Sequence, residues 1–139
     1  MKKSLKALFT VAMVAISGFF FFSCEETNEL SGTWNTIGLE KDNVVQEIAI
    51  SNLTFTPEGK TITVSGESGV NLLSGIVKLG KKKIKFVNVG STRMMGDPAA
   101  MEFENMFLET ISYADSYTLE NNTLTITASS KNLKLTLRK

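Results

Sequence analysis

The chain has 139 residues, 42% of them hydrophobic and 21% charged, with a formal net charge of +1. That is enough for one globular domain, and the apolar content excludes a disordered tail. It has no histidine and one cysteine, which excludes Ser-His and Cys-His nucleophilic machinery, the usual zinc sites and any intrachain disulfide.

The first stretch carries Lys2, Lys3 and Lys6, an uncharged apolar run from Ala7 to Phe22, then Ser23 and Cys24. This is the layout of an export signal. The run is shorter than the roughly 20 apolar residues of a spanning helix, which argues against a retained transmembrane anchor. The order of apolar run, small residue and cysteine resembles the lipobox of bacterial lipoproteins, although Phe21 stands where Leu is usual and Phe22 where a small residue is usual. The acidic Glu25-Glu26 resembles the tether of surface-bound lipoproteins in certain Gram-negative bacteria. The resemblance implies a signal peptide over residues 1–23, an acidic tether over 24–30 and a domain over 31–139. Cys24 is the expected lipidation site and the membrane the expected partner, at the outer membrane of the cell envelope on its periplasmic or exposed face. One acyl chain binds a bilayer only marginally, so the diacylglycerol of a lipoprotein cysteine would supply stable anchoring. Removal of the leader leaves 12 basic against 14 acidic residues, a net charge of about −2.

After the tether the chain alternates polar and apolar residues at the strand period. Gly32 to Leu39, with Trp34 and Ile37, reads as the first strand. In Ile48 to Thr56 the isoleucines Ile48 and Ile50 are out of phase with Leu53 and Phe55, which predicts a bulge near Ser51-Asn52. "TPEGK" predicts a turn. Ile62 and Val64 mark the next strand, "VNLLSGIVKL" another, and Ile84 with Phe86 a further one. The basic run "GKKKIK", Gly80 to Lys85, falls at a hairpin turn. Charged turns keep sheet edges soluble; contact with anionic lipid headgroups, or docking of a protein partner through Lys81 to Lys83, is the alternative, and the absence of interleaved aromatics argues against nucleic acid as a partner.

"GSTRMMGDPAAMEFENMFLET", Gly90 to Thr110, breaks this pattern. Asp97 is a good N-cap and Pro98 fits the first helical position. Phe103, Met106, Phe107, Thr110, Ile111 and Ala114 share one helix face, and Glu102, Asn105, Glu109 and Ser112 the other. Three glutamates without a lysine partner predict an acidic outer face. Tyr117 and Leu119 begin the strands after the helix. Asn121-Asn122 suits the positive φ angles of a two-residue hairpin. Leu124 and Ile126 follow, and then Leu133, Leu135 and Leu137 alternate with Lys134, Thr136 and Arg138.

The expected fold is mainly β with one helix: about eight antiparallel strands in a barrel-like sheet, and one amphipathic helix inserted before the last three strands to cover an open side or end. Eight strands leave an interior just wide enough for side chains or one small ligand.

The segment from Val89 to Ile126 resembles the C-terminal half of the META domain, known also from HslJ-like heat-inducible proteins. Gly90, Ser91, Thr92, Arg93, Met94, Met101, Glu102, Phe107, Leu108, Tyr117, Leu119 and Leu124 match its turn, helix and hairpin. Upstream, "GTW" at Gly32 to Trp34 and "GVNLLSG" at Gly69 to Gly75 resemble its opening strand and its Gly-Cys-Asn segment. Many members carry a cysteine after the first glycine of that segment and another after the Thr-Arg-Met turn, where this chain has Val70 and Gly96. Such a bridge would close a loop of roughly 26 residues and contribute about 3 kcal/mol. The family also implies a role in envelope stress.

Among candidate site residues, Arg93 is either an anion-binding group beside the adaptable Met94 and Met95 or a structural donor bracing the loop while the methionines plug the barrel. Trp34 is either core or part of a ligand-carrying barrel. Glu102 and Glu104, two apart on a helix, do not face each other as a catalytic pair would, and no phosphate loop is present. No catalytic residue, metal or cofactor is expected. The expected function is that of a non-enzymatic envelope protein; a small apolar ligand inside the barrel, lipocalin-like, and a protein partner or inhibitory target are the alternatives.

Overall fold

The computed structural model describes residues 29–139. The signal peptide, Cys24 and most of the tether lie outside the described residues.

Strand β1, Gly32–Lys41, turns through Asp42-Asn43 into the two-residue β2, Val44–Val45. β3, Asn52–Glu58, and β4, Thr61–Glu67, form a hairpin, followed by β5, Leu72–Gly80, and β6, Lys83–Ser91. Helix α1, Pro98–Tyr113, precedes β7, Ser116–Glu120, β8, Thr123–Ala128, and β9, Leu133–Arg138. The sheet order is β2-β1-β3-β4-β5-β6-β7-β8-β9, and β1 also pairs with β9. Eight antiparallel strands therefore close into a barrel, and β2 lies outside the ring as an edge strand.

Closure is uneven. β8 and β9 share six register pairs, from Thr123↔Arg138 to Ala128↔Leu133, whereas β6 and β7 share one, Lys83↔Ser116. The hydrogen bonds from Tyr117 N to Lys82 O (3.1 Å) and from Ile84 N to Asp115 O (3.4 Å) complete that seam. Above it the strands diverge, and α1 packs into the opening against β6, β8 and β9. Phe103, Phe107 and Ile111 are buried there, with the Phe103 and Phe107 rings 5.8 Å apart. The helix starts as its sequence dictates: Asp97 Oδ2 accepts from Ala99 N at 3.2 Å, and Pro98 occupies the first turn.

The alternating strands keep their phase. Leu133, Leu135 and Leu137 are buried opposite Leu124 and Ile126. Asn121 and Asn122 take φ of 50° and 58°, the left-handed pair that a two-residue hairpin needs. The segment from Ile37 to Ser51 departs from expectation. A register shift between Thr36 and Gly38 turns Ile37 outward and Leu39 inward. The slip near Ser51-Asn52 is the start of β3 rather than a bulge inside one strand, since residues 46–51 belong to no strand. Ile48 and Ile50 are exposed there. β2 was not anticipated; its turn uses Asp42 and Asn43, both at positive φ.

Candidate functional site

The helix end of the barrel carries a buried polar cluster built from three pieces of chain: the β4–β5 connection, the segment after β6, and α1. Its centre is Glu104, only 2% exposed. Glu104 Oε1 accepts from the Ser68 hydroxyl (2.5 Å), Asn71 N (2.7 Å) and Val70 N (3.3 Å). Glu104 Oε2 accepts from Asn71 Nδ2 at 2.7 Å. Burial raises the proton affinity of this carboxyl. The Ser68 hydroxyl, the Asn71 amide and the backbone N–H groups of Asn71 and Val70 act together against it and hold its pKa below the ordinary carboxylate value of 4.5. Glu104 is thus an ionised group solvated by dipoles instead of a cation.

Asn71 relays the cluster outward. Its Oδ1 accepts from Met94 N (2.6 Å) and from the Thr92 hydroxyl (3.0 Å), and its Nδ2 also reaches Met94 O at 3.2 Å. Thr92 Oγ1 accepts from Leu72 N at 3.0 Å. One carboxylate and one amide therefore pin the loop after β6 to the helix. Gly69 sits at φ 119°, a backbone state that L side chains rarely adopt, and a Cβ there would press on Phe103 Cδ1 at 3.1 Å.

What this clamp holds is the Arg93 loop. Arg93, Met94 and Met95 are exposed, Met95 at 92%. The methionines do not plug the barrel; Phe103, Phe107 and Ile111 do. Nor does Arg93 brace the loop: it makes no hydrogen bond or ion pair among the described residues, and Asn71 and Glu104 perform that task. Trp34 is buried, with its indole N–H donating to Leu30 O at 2.7 Å and Lys139 Nζ 5.5 Å from its ring centre. The four candidate residues do not share one surface.

Glu104 also corrects the expectation of an acidic outer helix face. Its spacing of three and seven residues to Phe107 and Ile111 places it on the buried side, a signal present in the sequence. Glu102 is exposed and Glu109 partly so; Glu109 has a partner, Lys131, at 3.7 Å.

The barrel interior is occupied by side chains, among them Trp34, Leu53, Phe55, Leu124, Ile126 and Leu135, each at most 2% exposed. An open groove lies instead on the outer surface, bordered by Asn52, Thr54, Ser65, Ser74, Ser91 and Thr92. Among the described residues no group of three or more His, Cys, Asp or Glu side chains is placed to hold a metal ion.

Gly96 and Val70 face each other across the clamp. A Cβ on Gly96 would lie 3.3 Å from Val70 Cβ, so the two positions that bear cysteines in many META domains are neighbours here. The META domain family model matches residues 27–139. The chain belongs to the META family.

Three solved structures share the fold of this META domain. A protein from Burkholderia xenovorans, solved by NMR, is 20% identical, with a TM-score of 0.66 over 82% of this chain and 86% of that one. A second NMR structure is 26% identical, with a TM-score of 0.57 over 81% and 92% of the two chains. A DUF4847-family protein from Bacteroides vulgatus is 15% identical, with a TM-score of 0.56 over 81% and 95%. No curated protein matches the chain.

Proposed function

We propose that this META domain belongs to a non-enzymatic, membrane-anchored lipoprotein of the bacterial cell envelope, acting in envelope stress tolerance or surface interaction. The observation that carries the reading is the Arg93-Met94-Met95 loop, presented to solvent on a filled barrel and tied down from beneath by Asn71 and Glu104. A cation and two adaptable thioethers on a fixed loop suit contact with an acidic, partly apolar protein surface. Anchoring is supported by the apolar run that ends at Ser23-Cys24, and the stress role by kinship with HslJ-like proteins. The absence of histidine and the full engagement of Glu104 support a non-catalytic role. The filled interior leaves the ligand-carrier alternative without support.

The test is fractionation combined with challenge of the envelope. Cys24→Ala should move the protein to the soluble fraction, and Arg93→Ala with Met95→Ala should keep it in the membrane but fail to restore tolerance to a deletion strain. Retention of Cys24→Ala in the membrane, or full complementation by the loop variant, would refute the corresponding half of the proposal.

A further inference from the structure

The strip from Val44 to Ile50 turns aliphatic side chains to solvent. Ile50 is 84% exposed and Val45 72%; Val44, Ile48 and the neighbouring Ile37 of β1 are exposed as well, while Ala49 packs on the core. Beyond the β1–β2 ladder, two hydrogen bonds hold the strip and its end to β1, from Gln46 N to Leu39 O (2.8 Å) and from Thr36 N to Ser51 O (3.0 Å). They lay the chain around Ile50 alongside the chain around Ile37. β2 ends the sheet order, so an open edge adds to the apolar surface. Proteins guard such edges with lysine, proline or a cover, and neither residue of β2 is lysine or proline. Large aliphatic side chains exposed together along one segment mark a contact surface.

We propose that this flank is the face on which the domain rests on a lipid bilayer. The inference rests on the anchoring of Cys24. Leu30 is buried in the barrel, and it follows Cys24 so closely in the sequence that an anchored chain holds the barrel within about 20 Å of the acylated residue. β1 begins just beyond, at Gly32, and runs about 33 Å to the end that pairs with β2, so the flank meets the same membrane when β1 lies along the bilayer plane. Tethering raises the local concentration enough for a weak contact to persist. A bilayer also asks for no matching pocket, which suits a ridge of valines and isoleucines. Depth is limited, because the open edge must keep hydrogen bonds to water and headgroups; the flank seats at the interface and not in the hydrocarbon. The charges beside the strip are three acidic to one basic, Glu40, Asp42 and Glu47 against Lys41, so attraction to anionic headgroups does not drive the contact; on zwitterionic lipid it is apolar and insensitive to salt.

The test uses the full acylated chain in phosphatidylcholine vesicles, with an environment-sensitive fluorophore on Val45→Cys or Ile50→Cys. Lys85→Cys, exposed on β6 across the ring, is the control. Emission at 45 and 50 should shift to the blue and be quenched by lipid-borne quenchers, at low and high salt alike, while the probe at 85 reports water. If the protein floats with vesicles but all three probes report water, the seating is overturned and the anchor stands. If shielding at 45 and 50 grows with the protein-to-lipid ratio and lipid quenchers have no effect, a second copy covers the flank and the seating is likewise overturned. If the protein does not float, anchor and seating fall together.

Discussion

Replacing Glu104 with Gln keeps the size of the side chain and removes its charge. In the native protein the two carboxylate oxygens accept four hydrogen bonds, three of them at 2.7 Å or less. Glutamine can keep the Oε1 contacts only by turning its own NH2 toward Asn71 Nδ2, so a donor faces a donor and Asn71 loses its grip. A lost hydrogen bond to a charged group costs about 1.5–3 kcal/mol, and leaving a buried donor unsatisfied costs a similar amount, so Glu104→Gln should destabilise by about 3 kcal/mol at pH 7. With an unfolding entropy of about 2.1 cal/mol/K per residue, this lowers Tm by roughly 13 °C. The pH dependence has a definite sign. The folded pKa lies below the ordinary 4.5, so the contribution is complete above the unfolded pKa and disappears as pH falls through the folded value. Urea titrations of both proteins between pH 7 and pH 2.5 measure the difference directly. A variant within 0.5 kcal/mol of the native protein at pH 7, or a gap unchanged at pH 2.5, would refute this account of Glu104.

Val70→Cys with Gly96→Cys should oxidise in air, as shown by a reducing-agent-dependent gel shift, and raise Tm; the 3.3 Å between Cβ positions is a few tenths short of normal disulfide geometry. Gly96→Cys alone should destabilise, because its Cβ meets Val70 Cγ2 at 2.6 Å. Phe107→Ala removes a fully buried ring from the helix plug and should cost about 3–5 kcal/mol by denaturant titration. Met95→Ala, on a side chain that is almost wholly in solvent, should change stability by less than about 0.5 kcal/mol.

The β7–β9 meander and the helix were legible because one physical constraint acted on each. Leu133, Leu135 and Leu137 have one dry face to choose, and Asn121-Asn122 has one turn it fits. The strip from Ile37 to Ser51 was opaque for the opposite reason. Its isoleucines and valines have strand-like composition, yet they are not ordered by burial, and a period-two pattern carries no information where side chains point to solvent. The clamp lay between these cases. The spacing of Glu104 to Phe107 and Ile111 marks it as inward, but its acceptance by the core depends on Ser68 and Asn71, more than thirty residues away. No local pattern supplies those donors. For the same reason the loop after β6 was legible but its support was not: Arg93 is a candidate brace on only one of its two readings, and the hydrogen bonds come from Asn71 and Glu104 while Arg93 is exposed.

Asn71 and Glu104 hold the Arg93-Met94-Met95 loop rigid from beneath. Backbone 15N relaxation of the soluble Cys24→Ala form tests it most directly. Order parameters near 0.85 at Met94 and Met95, falling below about 0.6 when Glu104→Gln is added, are the predicted result. Values already below about 0.6 with Glu104 intact would contradict it.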